Sequence, residues 1–322
     1  MKLFLKKTII FFGINLILLS FLIFISLFVG NQFLGNYQAA IVDKIERLQS
    51  IPGARIILVG NSNVCFGFKS DLIEHVFNMP VVDLGLHGGL GNAFLENMVK
   101  LGINEGDIVI VCHSSYSDDD TIPDPSLAWI TLEHHRQLWP IIRAKDFFRL
   151  SKAFPMYVVR CINNYIAGQP GNIPPPNTCY SRNAFNQYGD IYLRYNDSYL
   201  FNDTSISVPE INTTCINRLN QLETYIATHG ATLLIAGFPI ADGDFTPSTV
   251  QYLHFEKELR SILNPELISH FTDYFIPYDL FYNSSLHLSE EGAVVRTNLL
   301  INDLTRWMNK DHNSTDKPSL NK

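Results

Sequence analysis

Ser62 stands in Gly60-Asn61-Ser62-Asn63, directly after the apolar run ARIILVG that spans Ala54 to Gly60. A short apolar run closed by glycine reads as a buried strand, so the serine falls where a strand turns into a loop and a helix. A hydroxyl at that place can be presented to a cleft as a nucleophile, although Gly, Asn and Ser also build ordinary turns. His287, in Asn283-Ser284-Ser285-Leu286-His287-Leu288, stands just ahead of the last helical stretch, in a loop and not on an apolar face. A histidine there can take the Ser62 proton as general base if its loop folds over the first strand end. By residue type alone His134, His135 and His254, from the ten histidines of the chain, are equally eligible. A glycine-rich run, Asp83-Leu84-Gly85-Leu86-His87-Gly88-Gly89-Leu90-Gly91, follows a second strand-like run and lets backbone approach a substrate. It is no phosphate loop, because no lysine follows the glycines.

The elements that must hold these residues alternate. From about Ala54, apolar runs (ARIILVG, PVVDLGL, GDIVIVC, ATLLIAGFP and a weaker one at Tyr274 to Tyr278) alternate with helical stretches, the last from about Ser289 to Met308. This rhythm predicts a doubly wound α/β fold, a three-layer α/β/α sandwich on a five-stranded, mostly parallel sheet. Ligands of such sheets bind outside the carboxyl ends of the strands, where Ser62 and Gly88 fall. Between about Ser115 and Val208 the rhythm gives way to aromatic, Pro- and Asn-rich sequence, read as an insertion or lid. Its Trp129, Trp139, Tyr157 and Tyr165 suit a sugar platform or plain core packing. Residues 31–52 read as a helical stalk, 53–310 as the domain and 311–322 as a polar tail.

Hydrophobic residues make up 46% of the 322 and charged residues only 17%, too apolar for disorder and lean in charge for a purely soluble chain. Thr8 to Val29 carries no charge, and at about 1.5 Å per residue spans roughly 33 Å, enough to cross a hydrocarbon core. Lys2, Lys6 and Lys7 precede it, so residues 1–30 read as a cytoplasmic tip and signal anchor with the domain on the far side. A cleaved signal peptide is the alternative, but its apolar region is ordinarily about 7 to 15 residues and no small-x-small site follows here. A net charge of −7, with no basic stripe beyond the first residues, excludes the electrostatic footprint of a nucleic-acid binder. Cys65, Cys112, Cys161, Cys179 and Cys215 form no CxxC pair and no zinc spacing, so neither metal nor cofactor is expected. Outside the cytoplasm Cys161, Cys179 and Cys215 could supply a disulfide.

The combination resembles the SGNH/GDSL hydrolase superfamily, specifically the membrane-anchored members found with bacterial envelope-polysaccharide genes. There a GDS(L) serine follows the first strand, a glycine the second, an asparagine the third, and a DxxH histidine precedes the last helix. Gly60-Asn61-Ser62, Gly88 and His287 match that order over about residues 55–308. The resemblance implies a flavodoxin-like sheet, Ser62 as nucleophile, His287 as base, and an oxyanion site at the amides of Ser62 and Gly88. It also implies a periplasmic domain on the bacterial inner membrane, with an acylated glycan and envelope-complex proteins as partners. The sequence departs from the pattern at three places. Asn61 replaces the usual Asp; His113-Ser114-Ser115-Tyr116 follows the third strand, so the oxyanion asparagine is not evident and no residue is assigned to replace it, Ser115 standing only among the oxyanion or substrate candidates; and Ser284, with Asn283 before it, replaces the DxxH acid. Substitutes for that acid are Asp279 and Asp118 to Asp120, and a Ser-His dyad is the further alternative. The expected function is a serine esterase or O-acyltransferase, most simply of O-acetyl groups on envelope glycans; the alternative is an inactive SGNH scaffold that binds polysaccharide or assists export.

Overall fold

The computed structural model describes residues 1–118, 120–168, 178–194, 207–242 and 248–315. Its elements, in chain order, begin with α1 (Lys2–Val29), α2 (Ala40–Ser50), β1 (Ile56–Val59), α3 (Ser62–Cys65), α4 (Ser70–Phe77), β2 (Val81–Asp83) and α5 (Asn92–Asn97). There follow β3 (Ile108–Val111), α6 (Pro125–Leu132), α7 (Phe147–Ile166), α8 (Thr213–Ala227), β4 (Thr232–Ile235), β5 (Ile240–Asp242) and α9 (Thr249–Ile262). The chain continues through β6 (Glu266–Leu267), β7 (Phe275–Pro277), β8 (Phe281–Ser284), β9 (His287–Leu288) and α10 (Glu290–Thr315).

Five strands form one parallel sheet in the order β2-β1-β3-β4-β6. The runs IILV and IVIV are aliphatic throughout, β-branched at every position but Leu58, and wholly buried, as strands covered on both faces must be. Side chains alternate across the sheet: Ile57, Val59, Val109 and Val111 enter one hydrophobic cluster, while Ile56, Leu58, Ile108 and Ile110 enter another on the opposite face. The chain winds one way from β1 to β2 and the other way through β3, so the carboxyl ends of β1 and β3 lie where the strand order reverses, the place at which open α/β sheets bind ligands.

Three expectations change. The fifth strand of the main sheet is β6, two residues long, whereas the segment read as that strand pairs, as β7, with β5 in a separate two-stranded sheet. Two paired residues lie below any sequence periodicity, and the stronger apolar pattern of the later segment reflects its packing elsewhere. The stretch read as a stalk belongs to the domain. Ile41, Ile45 and Leu48 of α2 are buried in the main core, and the Lys44 ammonium donates to the carbonyls of Asp83 (2.9 Å) and Gly189 (2.6 Å). No disulfide joins Cys161, Cys179 and Cys215; all five cysteines are buried and outside any disulfide, and burial pushes the thiols of Cys65, Cys112 and Cys161 up to about 12, 11 and 11. The 28-residue helix α1 is long and apolar enough to cross a membrane and is uncharged after Lys7.

Candidate functional site

The turn after β1 is built by side chain–backbone bonds. Asn61 is the N-cap of α3, its Oδ1 accepting from the Asn63 amide (2.9 Å) and from Asn63 Nδ2 (2.7 Å), so Ser62 occupies the first helical position. Asn63 Nδ2 also donates to the Cys112 carbonyl at the end of β3 (3.1 Å), which ties the turn to the neighbouring strand. From below, the buried Arg296 of α10 donates through Nη1 to the Asn63 carbonyl, and through Nη2 to Asn63 Oδ1 (2.9 Å) and the Gly237 carbonyl (3.1 Å). Gly67 makes room for it: a Cβ there would lie 2.1 Å from Arg296 Nη1.

His287 arrives from the far end of the chain on the β8–β9 hairpin, in which Ser284 pairs with His287 and Phe281 with Leu288. The register shifts between those pairs, an irregularity of the kind that re-aims a side chain. The hairpin is pressed onto α10: Ser289 donates to the Leu280 carbonyl (2.8 Å), and a Cβ on Gly292 would lie 2.2 Å from that same oxygen.

Ser62 Oγ lies 2.8 Å from His287 Nε2, and His287 Nδ1 lies 2.7 Å from Asn283 Oδ1. Asn283 Nδ2 donates to the Tyr180 hydroxyl (2.9 Å), so its carbonyl oxygen faces the ring and can only accept. The proton of the neutral imidazole therefore sits on Nδ1, and the lone pair of Nε2 points at the Ser62 hydroxyl. This is the tautomer a general base requires, secured by an amide in place of a carboxylate.

The imidazole is 8% exposed and stacks on Phe66, ring centroids 4.1 Å apart and planes 11° from parallel. Burial, followed by the nearby His87 and Arg194, holds its pKa down to about 3, so the ring is neutral over the ordinary pH range. Arg194, from the insertion, clamps the same hairpin: Nε donates to the Leu288 carbonyl (3.1 Å), Nη2 to the Phe66 carbonyl (2.7 Å), and Nη1 pairs with Glu290 (2.7 Å).

The remaining candidates divide. Gly88 lies beside the Ser62 turn, a Cβ on it falling 3.5 Å from that of Asn61. Ser115 turns away, its Oγ facing Ser117 (3.4 Å) and its carbonyl accepting from Asn92 (3.1 Å), while Ser114 Oγ takes the bond from Asn61 Nδ2 (3.0 Å). Successive residues beyond a strand end point in opposite directions, and the neighbour is the one aimed at the site. Ser284 Oγ accepts from Leu286 N (3.3 Å) and serves the hairpin turn, and Asp279 lies in a short 3-10 turn ahead of β8. Asp118 pairs with Arg218 (3.0 Å), Asp120 with Arg143, Lys145 and Arg218, and Asp119 lies outside the described residues. Of the acids weighed as substitutes, neither Asp118 nor Asp120 is the imidazole's partner; Asn283 is. Tyr180, Arg194 and Arg296 carry no sequence signal at all, since the partner each one bonds at the site, Asn283, Leu288 and Asn63 respectively, lies 90 or more residues away in the chain. Trp129 stacks on Tyr157 (5.4 Å) and meets Trp139 edge-on (5.5 Å), packed against α1 and α7 instead of facing Ser62. Comparison of the chain with protein-family models, with curated proteins and with solved structures finds no match.

Proposed function

We propose that the chain is a membrane-anchored serine esterase or O-acyltransferase of the SGNH type, on a three-layer scaffold, acting through an acyl-enzyme on Ser62. The observation that carries this reading is the relay Ser62–His287–Asn283, with contacts of 2.8 and 2.7 Å and one consistent direction of donation. Nε2 takes the Ser62 proton as Oγ attacks an ester carbonyl; the tetrahedral oxyanion then collapses, expelling the alcohol, to which Nε2 returns the proton. Water or a sugar hydroxyl next attacks the acyl-serine, giving hydrolysis or transfer. The amides of Ser62 and Gly88 are the proposed oxyanion donors: the first N–H groups of a helix lack intrahelical acceptors, and Gly88 approaches the same turn. The proposed substrate is an O-acetylated envelope glycan, and Lys2, Lys6 and Lys7 in the first turns of α1 favour an N-terminus inside and the domain outside the bacterial inner membrane.

The absence of a carboxylate at position 283 favours a competing reading, a polysaccharide-binding or export-assisting scaffold with a silent site. A fluorophosphonate probe separates the two. Labelling of the full chain that disappears in Ser62→Ala and drops sharply in His287→Ala supports the enzyme. A folded wild type that fails to label refutes it.

A further inference from the structure

Helix α7 has two apolar sides. Leu150, Phe154, Tyr157, Val158 and Cys161 are buried, as a domain helix requires. Yet Phe148 (69% exposed), Val159 (47%) and Ile166 (76%) line the opposite side, aligned with Pro155 at helical spacing. The helix contains Arg149, Lys152 and Arg160 and not one acidic residue, in a chain whose net charge is −7. A solvated helix face would carry the reverse pattern.

The neighbour of α7 is the end of the apolar anchor. Leu22, Ile25, Val29 and Phe33 pack with Phe154, Tyr157, Val158 and Cys161, and the rings of Phe28 and Tyr165 are 6.3 Å apart. About 20 apolar residues cross a hydrocarbon core, so counting from Thr8 the contact zone from residue 22 to 29, about 10 Å of helix, falls at the far boundary of the bilayer. An amphipathic helix lies in that boundary with its apolar face about 5 to 10 Å deep and its basic groups among the headgroups. Glu133 fixes the junction, accepting from the amides of Gln32 and Phe33 just beyond α1, so the anchor leaves the domain in one direction.

We propose that α7 is an interfacial membrane helix: its Phe148–Val159–Ile166 face lies in the bilayer boundary at the C-terminal end of α1, and anionic lipid headgroups meet Arg149, Lys152 and Arg160. The proposal rests on the reading of α1 as a membrane span. It also narrows the substrate. Tyr37, eight residues after the last residue of α1, has its hydroxyl 3.0 Å from Cys65 Sγ and its ring 6.1 Å from that of Tyr180. Even fully extended, eight residues reach about 28 Å, so Tyr37 and the hairpin beside it are held within about that distance of the bilayer surface, and the glycan acted on is one presented there.

The test uses the full chain in nanodiscs of phosphatidylcholine with a minority of phosphatidylglycerol. Single cysteines at Phe148, Val159 and Ile166 carry nitroxides, with Leu16 in α1 and Val250 of α9, exposed to about the same degree as Phe148 and Ile166, as references; the native cysteines are buried. The expected ratio of oxygen to nickel-chelate accessibility at the α7 positions is several-fold above that at Val250 and approaches that at Leu16. Ratios on α7 equal to Val250, with Leu16 lipid-like, overturn the interfacial helix and leave the anchor standing. A water-like Leu16 overturns both. Low accessibility to both reagents with spin–spin broadening on α7 overturns the proposal in favour of a second copy of the chain on this face.

Discussion

Replacing Asn283 by Asp puts a carboxylate where an amide oxygen now accepts from His287, with almost no change in size. The contact is 2.7 Å, at which two unit charges attract by about 6 kcal/mol under an effective dielectric of about 20. Desolvation of the new carboxylate offsets much of this, and an opposite charge at contact shifts a pKa by about 1 to 3 units. His287, held down to about 3 in the wild type, accordingly titrates at about 4 to 6 in the variant. The direction is fixed: a raised pKa protonates the base at higher pH, so the acid limb of the activity profile moves to higher pH. Above that limb the same carboxylate stabilises the imidazolium that forms as Ser62 loses its proton, and every 1.4 kcal/mol or so realised in the transition state is worth about tenfold in rate. The assay is the second-order rate constant of fluorophosphonate labelling as a function of pH, wild type against Asn283→Asp. An unmoved acid limb, or loss of labelling in a protein that keeps its melting temperature, refutes the assignment of Asn283 as the group that orients the imidazole.

Three further outcomes follow from the same contacts. Tyr180→Phe removes the acceptor that holds Asn283 Nδ2, letting the amide turn its donor toward His287; labelling slows by about 2- to 10-fold, the worth of one hydrogen bond, with stability little changed. Arg296→Ala leaves the carbonyl and Oδ1 of Asn63 and the carbonyl of Gly237 without the Arg296 donor beneath Ser62, and costs more than about 3 kcal/mol in urea unfolding. His287 is buried neutral with a depressed pKa, so the unfolded chain binds more protons; stability is complete above the ordinary histidine range and falls as pH drops toward about 3, by up to about 1.4 kcal/mol per pH unit. His287→Gln abolishes that contribution, and a wild type and variant with parallel stability–pH curves would contradict the burial argument.

What could be read from the chain was local. Ser62 shows itself because a four-residue aliphatic strand ends on Gly60, and His287 because it precedes a helix; the order of the strand runs then puts both at one sheet edge. Asn283 was visible as one of several polar neighbours, but choosing it over Ser284 needs the hairpin register, which a one-residue slip would invert. The same parity decides Ser114 over Ser115. The buried spacing of Ile41, Ile45 and Leu48 was present as a helical stripe and marked α2 as a packed helix; reading it as a stalk gave too much weight to its place after the anchor. Arg194, Arg296 and Tyr180 lie beyond sequence reasoning for a different cause, because each is a long side chain whose partner is set by the closing of the whole fold.

The most direct measurement is the intact mass of the full chain quenched shortly after mixing with an activated acetyl ester, followed by mapping of the modified peptide. The account predicts one added acetyl group on Ser62, absent in Ser62→Ala and greatly slowed in His287→Ala. A folded wild type with no adduct on Ser62, or an adduct that forms equally fast in Ser62→Ala, would contradict it.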